Sequence, residues 1–128
     1  MNIRRIVMDI QSDDFEENRN FYENLIGLEL GMDLGWIMTF GSPSNPTAQL
    51  TVLKKDLTAP VNPTLTIEVE DVESIYSNAI KMGFKIVHPL TEEPWGVRRF
   101  FVLDPNGEVV NVMTHITKAS GVENDGIH

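Results

Sequence analysis

The sequence predicts an α+β domain built from two tandem βαβββ repeats. Three observations predict it. Strand and helix patterns follow the same order in both halves of the chain. Each predicted helix ends at a glycine, Gly27 in the first half and Gly83 in the second, which is where a helix commonly stops. Turn-forming segments at 42–45 and 104–107 stand at corresponding places in the two halves.

The first repeat begins with alternating apolar and polar residues over 3–10, the pattern of a half-buried strand. Ser12, Asp13 and Asp14 offer oxygens that can cap a helix N-terminus. Apolar residues at helical spacing then run to the first glycine stop. We predict three further strands in this repeat, at residues 28–33, 36–40 and 48–53.

The second repeat starts with an alternating strand at 64–69. Asp71 caps a predicted helix whose apolar residues fall at i, i+3, i+4, i+7 and i+8. Three more strands are predicted, at 84–88, 97–103 and 108–114. The last two are joined by Asp-Pro-Asn-Gly at 104–107, a strong hairpin turn.

The chain length of 128 residues fits one domain. We assign this domain to residues 3–116, with repeat one at 3–55 and repeat two at 63–116. Residues 117–128 are polar and contain glycine, so we expect a flexible tail there.

Composition limits the function further. Acidic residues number 19 and basic residues 10, for a formal net charge of -9, which disfavours nucleic-acid and anionic-membrane partners and is compatible with a cationic ligand. No apolar run is long enough for a membrane span. The absence of cysteine excludes disulfides, cysteine-zinc sites and thiol nucleophiles, and it fits a cytoplasmic location.

Two segments resemble a known family. Residues 20–30 read NFYENLIGLEL, with an FY...LG pattern, and residues 95–107 read WGVRRFFVLDPNG, with a WG-x-R...DP-x-G pattern. Both are similar to the vicinal oxygen chelate superfamily, which includes glyoxalases, bleomycin-resistance proteins and extradiol dioxygenases. The resemblance implies that each repeat curls into a half-open cup and that the curved mixed sheet surrounds a cavity. It also implies a homodimer, because family members commonly pair.

The resemblance implies a metal-ligand position on the first and last strand of each repeat. In this sequence those positions hold Val7, Gln49, Thr64 and Asn111. Val7 is a hydrocarbon and the other three are neutral, whereas a divalent cation is bound by carboxylate or imidazole groups. We therefore expect neither a metal nor another cofactor, which is the character of the metal-free, bleomycin-resistance-like members.

Candidate ligand-binding residues come from strand parity and side-chain type. Tryptophan stacks on planar ligands and methionine adapts to irregular ones. Strand residues that share the parity of the metal-ligand positions would point into the cavity. The predicted set is Trp36, Trp95, Gln49, Glu68, Asn111, Met113 and His115. His88 precedes a proline at a predicted strand end, so we expect it to face solvent.

The favoured hypothesis is a metal-independent protein that binds a small molecule, such as a cationic or aromatic drug. One alternative is a glyoxalase-like lyase, isomerase or dioxygenase with a diverged active site, in which Asp9, Glu68 or His115 acts as a base. Another is a regulatory module with a filled core. For the acidic residues, a salt bridge with Arg5, Arg98 or Arg99 is the structural alternative to a functional role.

Overall fold

A computed structural model describes residues 2–116 of the chain. The predicted tail at 117–128 lies outside the described residues. The helices are α1 (Phe15–Arg19), which continues as a π-helical segment (Asn20–Leu25), and α2 (Val72–Lys81). The strands are β1 (Ile3–Gln11), β2 (Glu29–Asp33), β3 (Ile37–Gly41), β4 (Gln49–Leu53), β5 (Leu65–Val69), β6 (Ile86–Glu93), β7 (Val97–Leu103) and β8 (Val109–His115).

The eight strands form one mixed sheet in the order β2-β3-β4-β1-β5-β8-β7-β6. Within each repeat the first strand pairs in parallel with the last, β1 with β4 and β5 with β8. The two repeats meet where β1 and β5 pair antiparallel. The predicted α+β fold of two βαβββ units is therefore confirmed.

The apolar core lies between the sheet and the helices, in two separate clusters. One cluster packs Met38 and Phe40 against α1 and the π-helical segment, and Tyr22 contacts Phe40 at a ring-centroid distance of 5.6 Å. The other packs Phe100 against α2, where Tyr76 lies 5.0 Å away. Phe40, Phe100 and Met38 therefore belong to helix-facing cores. The side of the sheet covered by the helices is called the helix face below.

Both helices begin and end with the predicted signals. The side chains of Asp14 and Asp71 accept hydrogen bonds from the backbone N–H of Glu17 and Ser74 respectively. The first helix widens into a π-helix, in which the N–H of residue 26 donates to the carbonyl oxygen of residue 21 at 3.0 Å. Such a turn accommodates an extra residue. Within residues 2–116, neither helix has the length and apolar character that a membrane-crossing helix requires.

The largest difference from the predicted strands is β6. It was expected to end at His88, but it continues past Pro89 to Glu93. The sheet ends at β6, and an edge strand tolerates proline because one side of its backbone needs no partner. His88 is consequently in mid-strand and buried, with its ring 5.2 Å from that of Phe101. The expectation that His88 faces solvent is wrong.

Candidate binding site

The side of the sheet opposite the helix face carries buried polar side chains. Thr51 alternates with Val52, and Asn111 with Val112, so that the valines join the helix-facing cores and the polar residues face away from them. We call this side the polar face, defined by Arg5, Asp9, Gln49, Thr51, Thr66, Glu68, Arg99, Asn111 and His115. Burying such groups is costly unless each finds a partner, so their contacts are informative.

The centre of the polar face is a buried chain of hydrogen bonds across three strands. Asn111 Nδ2 donates to Thr66 Oγ1 at 3.1 Å, and Thr66 Oγ1 donates to Asp9 Oδ2 at 2.7 Å. Thr66 pairs with Val7 on one side and with Asn111 on the other. The metal-ligand position that the resemblance assigned to Thr64 is therefore occupied by Thr66. Thr64 is exposed, and its hydroxyl donates a hydrogen bond to Glu108.

A second network joins Arg5, Glu68 and His115. Arg5 Nε lies 2.5 Å from Glu68 Oε1, and His115 Nδ1 lies 2.8 Å from Glu68 Oε2. Burial alone would raise the pKa of Glu68, but the hydrogen bond from His115 and the positive charge of Arg5 lower that pKa below its ordinary value. Glu68 is thus held ionised between two partners. Its contact with Arg5 is the salt bridge that the sequence offered as the structural alternative to a functional role.

A third network surrounds Arg99, whose side chain is fully buried. Its Nε donates to Glu93 Oε2 at 2.8 Å, and its Nη2 lies 2.8 Å from Asp56 Oδ2 and 2.9 Å from Thr58 Oγ1. Burial raises the pKa of Asp56, but the charge of Arg99 and hydrogen bonds from Thr58 outweigh it and lower the pKa. One guanidinium is therefore paired with two carboxylates in the protein interior.

The two tryptophans lie next to this network. Trp36 immediately precedes β3 and Trp95 lies in the turn between β6 and β7, yet their ring centroids are 5.2 Å apart, edge to face. The guanidinium carbon of Arg99 is 5.0 Å from the Trp95 ring centroid and 4.8 Å from that of Phe101. The fold thus brings one tryptophan from each repeat together beside a buried cation.

Comparison with known families agrees with this architecture. Residues 3–112 match the family described as Glyoxalase/Bleomycin resistance protein/Dioxygenase superfamily. The chain belongs to this superfamily. No curated protein sequence matches it.

Solved structures of low sequence identity share the superfamily fold. A hypothetical protein, BH1468, from Bacillus halodurans C-125 has a TM-score of 0.71 at 16% identity, with 93% of this chain and 99% of that chain covered. A glyoxalase/bleomycin resistance protein/dioxygenase superfamily member from Vibrio splendidus 12B01 has a TM-score of 0.66 at 14% identity, covering 88% and 99%. A structure named as an NAD-dependent benzaldehyde dehydrogenase from Legionella pneumophila has a TM-score of 0.70 at 15% identity, covering 86% and 98%. At these identities the likeness shows the fold alone.

The metal positions of the superfamily do not suit a metal in this chain. Met8 pairs with Leu50, so Val7 lies beside Gln49, and the row continues through Thr66 to Asn111. Gln49 is engaged at both ends, accepting from Arg5 Nη1 at 2.8 Å and donating to a backbone carbonyl at 2.7 Å. Among the described residues, no three His, Asp or Glu side chains are gathered to hold a metal ion. A hydrocarbon and three neutral groups do not fit a divalent cation.

The superfamily fold brings most of the predicted site residues onto one face. Glu68 and His115 are in contact, and Trp36 contacts Trp95. Met113 is buried and pairs with Glu68 on β5 and with Arg99 on β7, so it joins the two charged networks. The remaining two residues, Gln49 and Asn111, lie at the two ends of the row that crosses the sheet through Val7 and Thr66.

Sequence reasoning missed the cluster around Arg99. Because strand residues alternate between faces, one member of the Arg98-Arg99 pair had to point away from solvent or toward a ligand, and that signal was available. Asp56 and Thr58 follow β4 in an irregular segment, where no periodicity indicates which side chains are buried. Their role depends on contacts between residues far apart in the sequence.

Proposed function

We propose that this chain binds a small organic molecule on the polar face, at the end marked by Trp36 and Trp95, without a metal. One observation carries the proposal. Among the described residues, buried atoms on this face have no hydrogen-bond partner: Thr51 Oγ1, Arg99 Nη1 and His115 Nε2. In a filled core such atoms are nearly always bonded, so their grouping on one face supports a ligand rather than a purely structural interior.

The contacts favour an aromatic ligand over one recognised mainly by positive charge. Each carboxylate of the polar face already has a partner: Glu68 pairs with Arg5 and His115, and Asp9 with Thr66. A bound cation would have to compete for these groups. The net charge of -9 still favours the approach of a cation at a distance, so a planar ring carrying a peripheral positive charge remains compatible with the site.

Tryptophan fluorescence tests this function. We expect some members of a panel of planar aromatic compounds, neutral and cationic, to quench the emission of Trp36 and Trp95 with EDTA present. Replacing Trp95 by Ala should weaken binding by about 1–3 kcal/mol if the indole stacks on the ligand. Its effect on the free energy of unfolding should be smaller than that of Phe100→Ala, a core truncation that costs about 3–5 kcal/mol.

Two outcomes would contradict the proposal. If Trp95→Ala unfolds the protein and no compound quenches the wild type, Trp95 is a core residue and the binding function fails. If the purified protein carries near-equimolar metal and EDTA abolishes binding, the function depends on a metal.

A second candidate function is a lyase or isomerase that moves a proton. The contact between Glu68 and His115 favours it, since a carboxylate that orients an imidazole is a common arrangement for a general base. Turnover of a bound compound, lost in His115→Gln while binding is retained, would establish catalysis. A dioxygenase is the least compatible alternative, because the row from Gln49 to Asn111 does not suit the metal that such chemistry uses.

A further inference from the structure

We infer that the polar face recognises a hydroxyl group of its ligand, with His115 Nε2 as the hydrogen-bond acceptor and Arg99 Nη1 as the donor. The inference deepens the proposed binding function and rests on it. Both atoms are buried and have no hydrogen-bond partner among residues 2–116. They belong to two different networks on the same face of the paired strands β7 and β8.

The strand register brings the two side chains together. On the paired strands β7 and β8, Val97 lies opposite His115 and Arg99 lies opposite Met113. Arg99 and His115 are thus diagonal neighbours on one face of an antiparallel pair, where such residues are about 7–8 Å apart and within reach for long side chains. The inference places one ligand oxygen between these two side chains.

Glu68 determines the role of His115. A carboxylate only accepts hydrogen bonds, so the contact of Glu68 Oε2 with His115 Nδ1 places a hydrogen on Nδ1. In the neutral imidazole, Nε2 is then left with a lone pair and is an acceptor. Arg5 holds the other oxygen of Glu68, which fixes the carboxylate and, through it, the imidazole. Glu68 is a positioning residue in this arrangement.

Arg99 supplies the complementary donor. Its Nε and Nη2 are committed to Glu93, Asp56 and Thr58, which leaves Nη1, and a guanidinium nitrogen can only donate. Two carboxylates offset the positive charge of Arg99, so the site offers a directed hydrogen bond rather than a strong attraction for anions. A carboxylate or phosphate ligand would also meet the negative charge of Glu68. A neutral hydroxyl avoids that repulsion, donating to His115 and accepting from Arg99.

The adjacent tryptophans indicate what carries the hydroxyl. Because Trp95 lies against the Arg99 guanidinium and Trp36 lies against Trp95, a ring bonded to the hydroxyl would extend onto an aromatic surface. The ligand class is therefore a phenol or a cyclic enol. If the hydroxyl is acidic enough, its O–H bond breaks and the proton moves to Nε2. The imidazolium then stays paired with Glu68, the oxyanion keeps the Arg99 hydrogen bond, and no other bond changes.

A matched pair of compounds tests the inference. Para-nitrophenol has the hydroxyl, and para-nitroanisole has the same ring with a methyl ether that cannot donate. We expect both compounds to quench tryptophan fluorescence. The dissociation constant of para-nitroanisole should exceed that of para-nitrophenol by a ratio of at least about ten, which corresponds to about 1.4 kcal/mol. His115→Phe should bring the ratio of the two constants close to one. Glu68→Gln, which keeps the shape but removes the charge, should reduce the ratio.

Nitrogen-15 NMR of the ligand-free wild type gives a readout that needs no variant to fold. We expect neutral His115 to carry its proton on Nδ1, and finding it on Nε2 would overturn the assignment. Equal binding of the two compounds by the wild type, or a ratio that His115→Phe leaves unchanged, would also overturn it while leaving the binding function intact. If other planar compounds quench but neither of these two does, the hydroxyl inference fails alone. If nothing in the panel quenches, the binding function fails with it.

Discussion

At the scale of single residues, two consecutive arginines show how the fold places charge inside the protein. Arg98 and Arg99 are consecutive on β7, and strand alternation sends them to opposite faces. Arg98 reaches Glu73 and Glu92 at the surface, whereas Arg99 is fully buried among its carboxylates. Arginine therefore makes exposed ion pairs at position 98 and buried ion pairs at position 99.

Substitution of the two arginines measures that difference. Arg99→Met leaves Asp56 and Glu93 buried without their cation, so we expect the free energy of unfolding to fall by about 3–5 kcal/mol. Arg98→Met is the matched control and should cost less than about 1 kcal/mol, because exposed ion pairs are weak. Urea unfolding monitored by circular dichroism measures both. Equal losses for the two variants would contradict the structural role assigned to Arg99.

His88 makes stability depend on pH. Burial lowers the pKa of His88 from its ordinary 6.5, and the charge of Arg99 lowers it further, against the opposing charges of Glu93 and Asp56. Between the lowered pKa and 6.5 the unfolded chain binds a proton that the folded chain does not. Stability should therefore be complete above that range and should decrease as the pH falls from 6.5.

A pH series of thermal melts checks this dependence. The melting temperature of the wild type should drop as the pH falls below about 6.5, the ordinary value for histidine. His88→Gln should show a flatter profile over the same range, because the variant has no imidazole at position 88 to protonate. A wild-type profile that rises toward acid would show that His88 is stabilised in its charged form.

At the scale of elements, the ends of the helices lie where the capping residues and glycines of the sequence predicted them. Gly83 follows α2 with a φ of 77°, a left-handed conformation, and Gly27 ends the first helix with a φ of 92°. Among residues 2–116, and apart from Gly83 itself and its neighbours in the chain, no atom lies within 4 Å of the position that a Cβ at Gly83 would occupy. The requirement for glycine is therefore conformational and not a matter of space.

Gly83→Ala tests that requirement. We expect a loss of about 1–2 kcal/mol in the free energy of unfolding, the cost of a left-handed backbone for a residue with a Cβ. Ser77→Ala, an exposed substitution within α2, should be neutral or slightly stabilising because alanine is the better helix former. Chemical unfolding of both variants measures the contrast. A neutral Gly83→Ala would mean that the helix end can rearrange.

At the scale of the whole molecule, the joint between the repeats leaves apolar residues uncovered. On the helix face of β1, Ile6 and Met8 are 60% and 63% exposed. They pair with Ile67 and Leu65 of β5, which pack against the core cluster beneath α2. An apolar strip between two helix-covered cores is suited to contact with another protein surface.

We therefore predict a homodimer that covers this strip, as the family resemblance also implies. Light scattering of the wild type should give about twice the 14.4 kDa mass of the chain at micromolar concentration. The double variant Ile6→Glu, Met8→Glu should be monomeric with its fold retained, because it places charge only on the exposed strip. Gln11→Glu at the end of the same strand is the control and should remain dimeric. A monomeric wild type would refute the prediction.

The sequence by itself determined the repeat, the element order and the local signals that begin and end the helices. Those features depend on periodicity, capping side chains and glycines, all of which act between residues close in the chain. The superfamily followed from two short segments, and parity correctly placed Glu68, Asn111 and His115 on one face.

Only the tertiary structure decided which polar residues are paired and which positions share a row. It shows that Thr66 and not Thr64 lies beside Val7 and that His88 is buried. It also shows that the ionic partners of Arg99 come from the segment after β4 and from β6. Register and burial depend on contacts between strands distant in sequence, and a slip of one residue sends a side chain to the other face. The chemistry of the polar face is therefore set by strand pairing, which no local pattern records.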